Sequence, residues 1–476
     1  MAVSERNLRS ATEISDAGEI VPVPGNIRGL GEPMAVSRAA LEDYNRYLKS
    51  DLFAKNHSML ILMMSRVDST GSFRGLEREV LARRVTVEIF ELLQRARPTV
   101  AIFDVTPHEV FEFALLKVLE WCGIPVLMFQ PTLVGPQMVA RTGISTTLEV
   151  PLTGSSFDRK ALAQSAVVAI SLAALARLSA GTGTPKMDSQ REKEANSSRF
   201  RARFLAARFS LRRLRGPGQD SEFALTGHNI RPAILKRALE IYLERSLRQR
   251  LRSSAAELPI LLKAPKYRFA LMALHYEPER SSIPEGYPYD SQIDAVIAAR
   301  NFLPDDVELL VKEHFSQHAV ALRGFVGRSP AFYDLVTNLP GVCLIGSASN
   351  TRALMRGAEC VVTLTGKVGI EAVGEGKPVL ALGQPWWLGM PGTSSLDDGL
   401  GYESFLNHCD RSRDSVDSWL RDMVEGVLLP GVASVPPDRY SERIARLPEG
   451  FEELEAQSLT SAFNALLATG VQTGSD

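Results

Sequence analysis

Between Tyr267 and Gly383, short apolar runs alternate with stretches of helical spacing, and that alternation leaves few folds open. "YRFALMALHY" (267–276), "VELLVKEHF" (307–315), "VCLIG" (342–346), and the two apolar runs of "VVTLTGKVGIEAVGEGKPVLALG" (361–383) read as strands. "SQIDAVIAARNFL" (291–303) and "SNTRALMRGA" (349–358) read as the helices between them. The first third repeats the pattern. "SMLILMM" (58–64) reads as a buried parallel strand, followed by a helix in "LEREVLARRVTVEIFELLQRARP" (76–98). The strand "TVAIFDV" (99–105), the helix "HEVFEFALLKVLEWCG" (108–123) and the strand "IPVLMFQ" (124–130) come next. Strand–helix–strand units with right-handed crossovers predict doubly wound sheets. The fold class expected is α/β, with two Rossmann-like lobes facing a cleft where ligands of such folds bind.

A chain of 476 residues is too long for one ordinary core, which agrees with two lobes. The expected division is an arm at 1–45, a first lobe at 46–150, a helical basic connector at 151–262, a second lobe at 263–430 and a helical tail at 431–476. A formal net charge of −1 argues against a surface built wholly for nucleic acid. Cys122, Cys343, Cys360 and Cys409 form no CxxC pair, so a disulfide framework or zinc knuckle is not expected and a reducing cytoplasm fits. The N-terminal stretch lacks the apolar core of a signal peptide. "ALAQSAVVAISLAALARLSAG" (161–181) reads as a packing helix, since it is Ala-rich and carries Gln164, several serines and Arg177. In 199–215 seven arginines are interleaved with Phe200, Phe204 and Phe209. That run suits a solvated helix face or peripheral contact with an anionic membrane surface.

Four stretches carry candidate chemistry. In 361–383 a strand leads through Thr365-Gly366 to a helix that begins near Val368. Gly366 and Gly369 would permit a tight turn and a close ligand approach, and the helix-start amides would form an anion site. Glu371 in the first turn would accept from ribose hydroxyls, or would only favour the helix dipole. In "LLVKEHFSQH" (309–318), Lys312 and His314 share one face of a strand end, where they would neutralise phosphate or His314 would exchange a proton as a catalytic residue, or they form an ordinary polar end. "ALHYEPERSSIPEGYPYD" (273–290) is a Pro-stiffened loop with His275, Glu277 and Glu279. In "FDVTPHEVFEF" (103–113), Thr106 and Pro107 are explained by helix initiation, while His108 is a candidate base facing the cleft from the first lobe. No carboxylate cluster demands a metal, and no cofactor is expected.

In their order, "ALHYEPERSSIPEG", "LLVKEHFSQH" and "VVTLTGKVGIEAVGEGKPVLALG" resemble the capsule polysaccharide biosynthesis proteins of bacteria. The resemblance covers about 99–130 and 267–385. It implies a GT-B glycosyltransferase that binds a nucleotide-activated sugar mainly on the second lobe and a saccharide or glycolipid acceptor near the first. By that correspondence Glu279 lies on a PE loop, Lys312 and His314 on a KEH strand end, and Thr365, Gly366, Lys367, Gly369 and Glu371 on the nucleotide turn. Phe315 stands where the pattern has proline, and Lys367 where a small residue is common. The mechanism implied has Lys312 and the glycine turn holding the donor phosphate and Glu371 the ribose, with His108 as base. Glu279 would act from the donor side if configuration is retained. A sugar-nucleotide epimerase or hydrolase on the same scaffold, or a non-catalytic polysaccharide-assembly protein, are the alternatives. The catalytic reading requires that the amides beside Thr365 face an interlobe gap.

Overall fold

The computed structural model describes residues 2–4, 21–23, 34–67, 75–150, 166–179, 242–252, 267–432 and 437–469, apart from 133, 241, 244, 278–280, 290, 319–323, 325–326, 348, 409 and 411. The basic run 199–215 and Glu279 lie outside the described residues.

The first region begins with three helices, α1 (Arg38–Leu48), α2 (Asp51–Val67) and α3 (Gly75–Ala96). Ser37 caps α1 by accepting from the Ala40 amide. Strand β1 (Ala101–Phe103), helix α4 (Val110–Trp121), strand β2 (Val126–Pro131), strand β3 (Gln137–Arg141) and helix α5 (Ala166–Ser179) follow. The segment 58–64, expected as a strand, lies inside α2. Read over a wider window, the buried positions of α2 are Asn56, Met59, Leu60, Met63 and Met64, while Leu62 is exposed. That is a helical stripe, and Met and Leu are good helix formers. A seven-residue apolar run hid the longer period.

The second region contains β4 (Phe269–Ala273), α6 (Gln292–Phe302), β5 (Glu308–Lys312), α7 (Pro330–Asn338), β6 (Val342–Ile345), α8 (Thr351–Gly357), β7 (Val361–Thr363), α9 (Val368–Gly374), β8 (Val379–Ala381) and β9 (Thr393–Ser395). The six strands are all parallel, in the order β6-β5-β4-β7-β8-β9. Counted along the chain this is 3-2-1-4-5-6, so the direction of winding reverses between β4 and β7. Strand interiors such as Leu309, Leu310 and Val311 are buried on both faces, as a sheet covered by helices on both sides requires.

Helices α10 (Tyr402–His408) and α11 (Arg413–Gly426) precede a return to the first sheet. Strand β10 (Leu429–Pro430) pairs antiparallel with β3, Leu429 opposite Met138. The first sheet is therefore β10-β3-β2-β1, parallel only between β1 and β2. The connection of β2 to β3 is a few residues long, which suffices for a hairpin and is too short for a crossover. Helices α12 (Pro437–Ile444) and α13 (Phe451–Ala468) complete the described chain, with α13 packed on β10 and β2. The fold is mixed α/β built on a parallel sheet.

One hydrophobic core runs through both sheets. It joins Leu127, Phe129 and Val139 to Leu271, Leu310, Val361, Val424 and Ala462. A second contact comes from the loop after β4, whose Ile283 packs into the cluster of Met63, Val110, Phe113 and Ile144. Helix α5, in the segment read as a packing helix, buries Val167, Val168 and Ser171. Among the described residues no helix is long and apolar enough to cross a membrane.

Candidate active site

Ligands of open α/β sheets bind beyond the carboxyl ends of the strands at the point where winding reverses. Here that point lies between β4 and β7, and it is bridged by side chains. His275, two residues past β4, accepts on Nε2 from the Thr365 amide at 3.3 Å, with the Thr363 hydroxyl at 3.4 Å. Its Nδ1 lies 3.2 Å from Ser281 Oγ, so the ring proton sits on Nδ1 and points at that hydroxyl. Gln292 grips the His275 backbone, accepting its N–H at 2.8 Å and donating to its carbonyl at 3.2 Å. Burial, with the charges of His314 and Arg328 adding to it, lowers the His275 pKa to about 3, so the ring is neutral.

This arrangement corrects the expectation for the glycine turn. The Thr365 amide is satisfied by His275 and the Gly366 amide by Thr363 Oγ1 at 3.2 Å. They are capped internally, so they do not form the anion site the strand–turn–helix spacing suggested, and the catalytic reading that required these amides to face the gap fails in that form. Thr365 Oγ1 is also engaged, donating to Ser281 O at 2.6 Å. Gly366 is needed for a different reason: a Cβ there would lie 2.8 Å from Thr363 Oγ1 and 3.3 Å from His275 Nε2. Gly369 does not serve close approach of a ligand. A Cβ there would stand 2.6 Å from Cζ2 of Trp387, a ring that is 1% exposed.

The end of β5 sorts its three polar residues into distinct jobs. Lys312 is buried, and its ammonium donates to Glu313 O and Ser347 O, both at 3.3 Å, tying the ends of β5 and β6. Glu313 is fully buried and accepts from Arg328 Nε at 3.0 Å, Arg328 Nη2 at 3.2 Å, Tyr333 OH at 2.8 Å and the His314 amide at 2.7 Å. Burial works to raise the Glu313 pKa, but the charge and hydrogen bonds of Arg328 outweigh it and hold the carboxyl below the usual range. Arg328 spends its remaining donors on Glu277 Oε2, Gly327 O and His275 O, and lies over the Phe332 ring. Gln317 completes the frame, exchanging two 2.9 Å hydrogen bonds with the backbone of Glu277. The loops after β4 and β5 and the start of α7 are thereby fixed to one another.

His314 is the member of this group that reaches outward. Its Nδ1 accepts from the Ser316 amide at 3.2 Å, so the neutral ring carries its proton on Nε2. That Nε2–H makes no hydrogen bond among the described residues. Burial lowers the His314 pKa to about 4; Glu313 opposes this, while Lys312, Arg328 and Lys367 reinforce it. The ring is thus a neutral N–H donor with Lys312, Arg328 and Lys367 on one side of the balance and the Glu313 carboxylate on the other. Lys367 also lies 3.8 Å from Glu371, both half-buried at the start of α9. Phe315, which stands where the pattern has proline, lies tilted at 36° beside the His314 ring with centroids 4.6 Å apart.

His108 belongs to the other sheet, in the segment between β1 and α4. Its Nδ1 donates to Thr106 O at 3.0 Å, so in the neutral ring the lone pair is on Nε2. The sequence reading passed over its neighbour Glu112, whose carboxyl accepts from the His108 and Glu109 amides. Burial first, then the charges of Glu109 and Asp104, push the Glu112 pKa up to about 7. The available signal was its place three residues into α4, where a Glu reaches back over the helix start. Arg328 was also passed over, and nothing in its local sequence marks it. Arg141, at the end of β3, crosses between sheets by donating to Gln384 O at 3.2 Å. Among the described residues no group of three His, Cys, Asp or Glu side chains converges as metal ligands do.

Residues 224–428 match the family described as "Capsule polysaccharide biosynthesis protein". No curated protein matches the chain. Among solved structures, a beta Kdo 2,7 transferase named KpsC from Thermosulfurimonas dismutans is 12% identical, with 75% of this chain and 88% of that one covered and a TM-score of 0.28. UDP-GlcNAc 2-epimerase from Methanocaldococcus jannaschii is 13% identical over 79% of this chain and 83% of that one, with a TM-score of 0.22. UDP-GlcNAc 2-epimerase from Neisseria meningitidis, bound to UDP-GlcNAc, is 11% identical over 98% and 99%, with a TM-score of 0.19.

Proposed function

From the match of residues 224–428 to the family described as "Capsule polysaccharide biosynthesis protein", we propose a glycosyltransferase that moves a sugar from a nucleotide-activated donor to a surface-polysaccharide or glycolipid acceptor. The observation that carries this reading is the His314 imidazole, with His108 assigned as its complement. His314 offers an Nε2 proton at the carboxyl end of the parallel sheet, and His108 has its Nε2 lone pair on the other sheet. Transfer to a hydroxyl requires both functions: a donor to the leaving phosphate and an acceptor for the hydroxyl's proton.

In this mechanism the donor phosphate binds at His314 Nε2–H. The Thr365 and Gly366 amides take no part. As the glycosidic bond breaks, negative charge grows on the phosphate, and the hydrogen bond and the field of Lys312 and Lys367 strengthen with it. His108 takes the proton of the attacking hydroxyl in an inverting reaction. Glu371 is assigned the ribose, and Lys367 steadies it from 3.8 Å. Glu279 remains the carboxylate proposed to act from the donor side if configuration is retained. The protein works on the inner side of the cytoplasmic membrane, with residues 199–215 as the proposed peripheral contact.

A thermal-shift screen against UDP-, GDP-, CMP- and dTDP-linked sugars tests the reading. A ligand at about 100 times its dissociation constant adds roughly 2.7 kcal/mol of stability. One of the four classes should shift the wild type, and His314→Ala should abolish the shift; no shift with any of them refutes a transferase. Incubation with the binding donor alone separates the epimerase, which would release an epimerised donor without acceptor. Cellular polysaccharide left intact by His314→Ala and Glu371→Ala, but lost on deletion of the protein, would indicate an assembly role.

A further inference from the structure

We propose that Arg328 is a positioning residue for His314, acting through Glu313 to hold the imidazole in the orientation that presents Nε2–H to the donor phosphate. The proposal rests on the transferase reading for its chemical purpose, but its geometry stands apart from that reading. Arg328 and Glu313 side chains are both 0% exposed, in a parallel pair of hydrogen bonds from Nε and Nη2 to the two carboxylate oxygens. Bidentate pairing fixes the carboxylate in orientation as well as position.

Outside the ion pair the fixed carboxylate also holds His314. Its Oε1 accepts the His314 amide at 2.7 Å, which sets the backbone where the chain leaves β5. Two residues later the Ser316 amide points back at His314 Nδ1, closing a small loop that defines the ring. Arg328 also ties this loop to the neighbouring loop after β4, through His275 O at 3.1 Å and through Glu277. Tyr333 adds a second brace. Its hydroxyl donates to Glu313 Oε2 at 2.8 Å and lies 2.9 Å from His318 Nε2. A buried ion pair adds little net stability over an apolar replacement, so so many donors on one guanidinium call for another role. Holding a single ring whose Nε2 stays unpaired among the described residues supplies it.

The charged and titratable groups around His314 are Glu313, Lys312, Arg328, Lys367 and His275. Arg328→Lys keeps the charge and removes the fork, so it isolates orientation from field. The experiment is an NMR titration of His-labelled wild type and Arg328→Lys, with His314 assigned by substitution. The wild-type His314 midpoint is expected at about 4. In Arg328→Lys it should move up by one unit or more as the ring swings toward water. If Arg328→Lys does not fold, Tyr333→Phe removes one brace and is read in the same way. A His314 midpoint unchanged in the variant overturns the proposal.

A second arm measures the affinity of UDP, GDP, CMP and dTDP by titration. Arg328→Lys should weaken the nucleotide that binds by about tenfold, and should weaken it no further in a His314→Ala background. Multiplying effects in the double variant would mean that Arg328 acts independently of His314, which also overturns the proposal. Binding of no nucleotide by the wild type refutes the transferase reading, and the titration arm still decides the role of Arg328.

Discussion

Gly369→Ala separates two explanations for one glycine, because ligand approach and side-chain packing predict different losses. A methyl at this position would be 2.6 Å from Trp387 Cζ2, 3.0 Å from Cζ3 and nearer still to Cη2. Carbon atoms rest about 3.5–4.0 Å apart, so the indole would have to retreat by about 1 Å. Trp387 is 1% exposed within the core shared by both sheets, and has no solvent gap to retreat into. Overpacking of this kind costs about 1–3 kcal/mol. Against it stands the gain from replacing glycine inside a helix, roughly 0.5–1 kcal/mol. The net loss is about 1.5 kcal/mol, or a fall of about 3–6 °C in melting midpoint for a region of 150–250 residues. Thermal unfolding followed by circular dichroism measures it. Trp387→Phe removes the six-membered ring of the indole, so Gly369→Ala should cost almost nothing in that background. Unchanged stability in Gly369→Ala, combined with loss of nucleotide binding, would refute the packing account and return the glycine to the ligand.

Three further outcomes can be checked by unfolding. Arg328→Met leaves Glu313 charged and unpaired in a fully buried place, and should cost about 3–5 kcal/mol; a loss below 1 kcal/mol would show that the ion pair is not buried as described. Acid should weaken the protein from about pH 6.5 downward. Unfolded His275, His314 and His318 gain protons there while the folded rings, with pKa values of about 3, 4 and 4, do not. Stability therefore rises with pH across this window, and unfolding at pH 5.5 should take up close to three protons from these rings, read from denaturation as a function of pH; an uptake near zero contradicts their buried, neutral state. Glu112 works in the opposite sense. Its folded pKa of about 7 lies above the unfolded value, so its contribution is full at low pH and is lost as pH rises through 7. Glu112→Gln should raise the melting midpoint at pH 8 and change it little at pH 4, and equal shifts at both would exclude Glu112 as the cause.

Five of the six strands of the second sheet were legible as mainly apolar runs, such as Phe269–Ala273 or Val361–Thr363, whereas the polar edge strand Thr393–Ser395 carried no such signal. The helix at 368–374 was legible from the turn that precedes it. What such a turn does was not. Spacing shows that a glycine is needed, but the occupant of the space, Trp387 at Gly369 and Thr363 with His275 at Gly366, comes from elsewhere in the chain. His275, Lys312 and His314 stood out as polar residues at apolar strand ends. Their division of labour depended on Arg328, which reaches Glu313 from a loop fifteen residues away and has no pattern of its own. Residues 58–64 failed for a simpler reason. Both a strand and a buried helix turn can be continuously apolar, and only the buried positions out to Asn56 reveal the period.

The return of the chain to the first sheet bears on the order in which the protein can assemble. Leu429 pairs with Met138, Gln137 donates to Val424 O at 3.2 Å, and the helix from Phe451 packs beneath. During synthesis the six parallel strands leave the ribosome as one stretch with no strand of the first sheet between them. The earlier sheet must wait, with an edge of β3 open, until residues made almost three hundred positions later arrive to cover it.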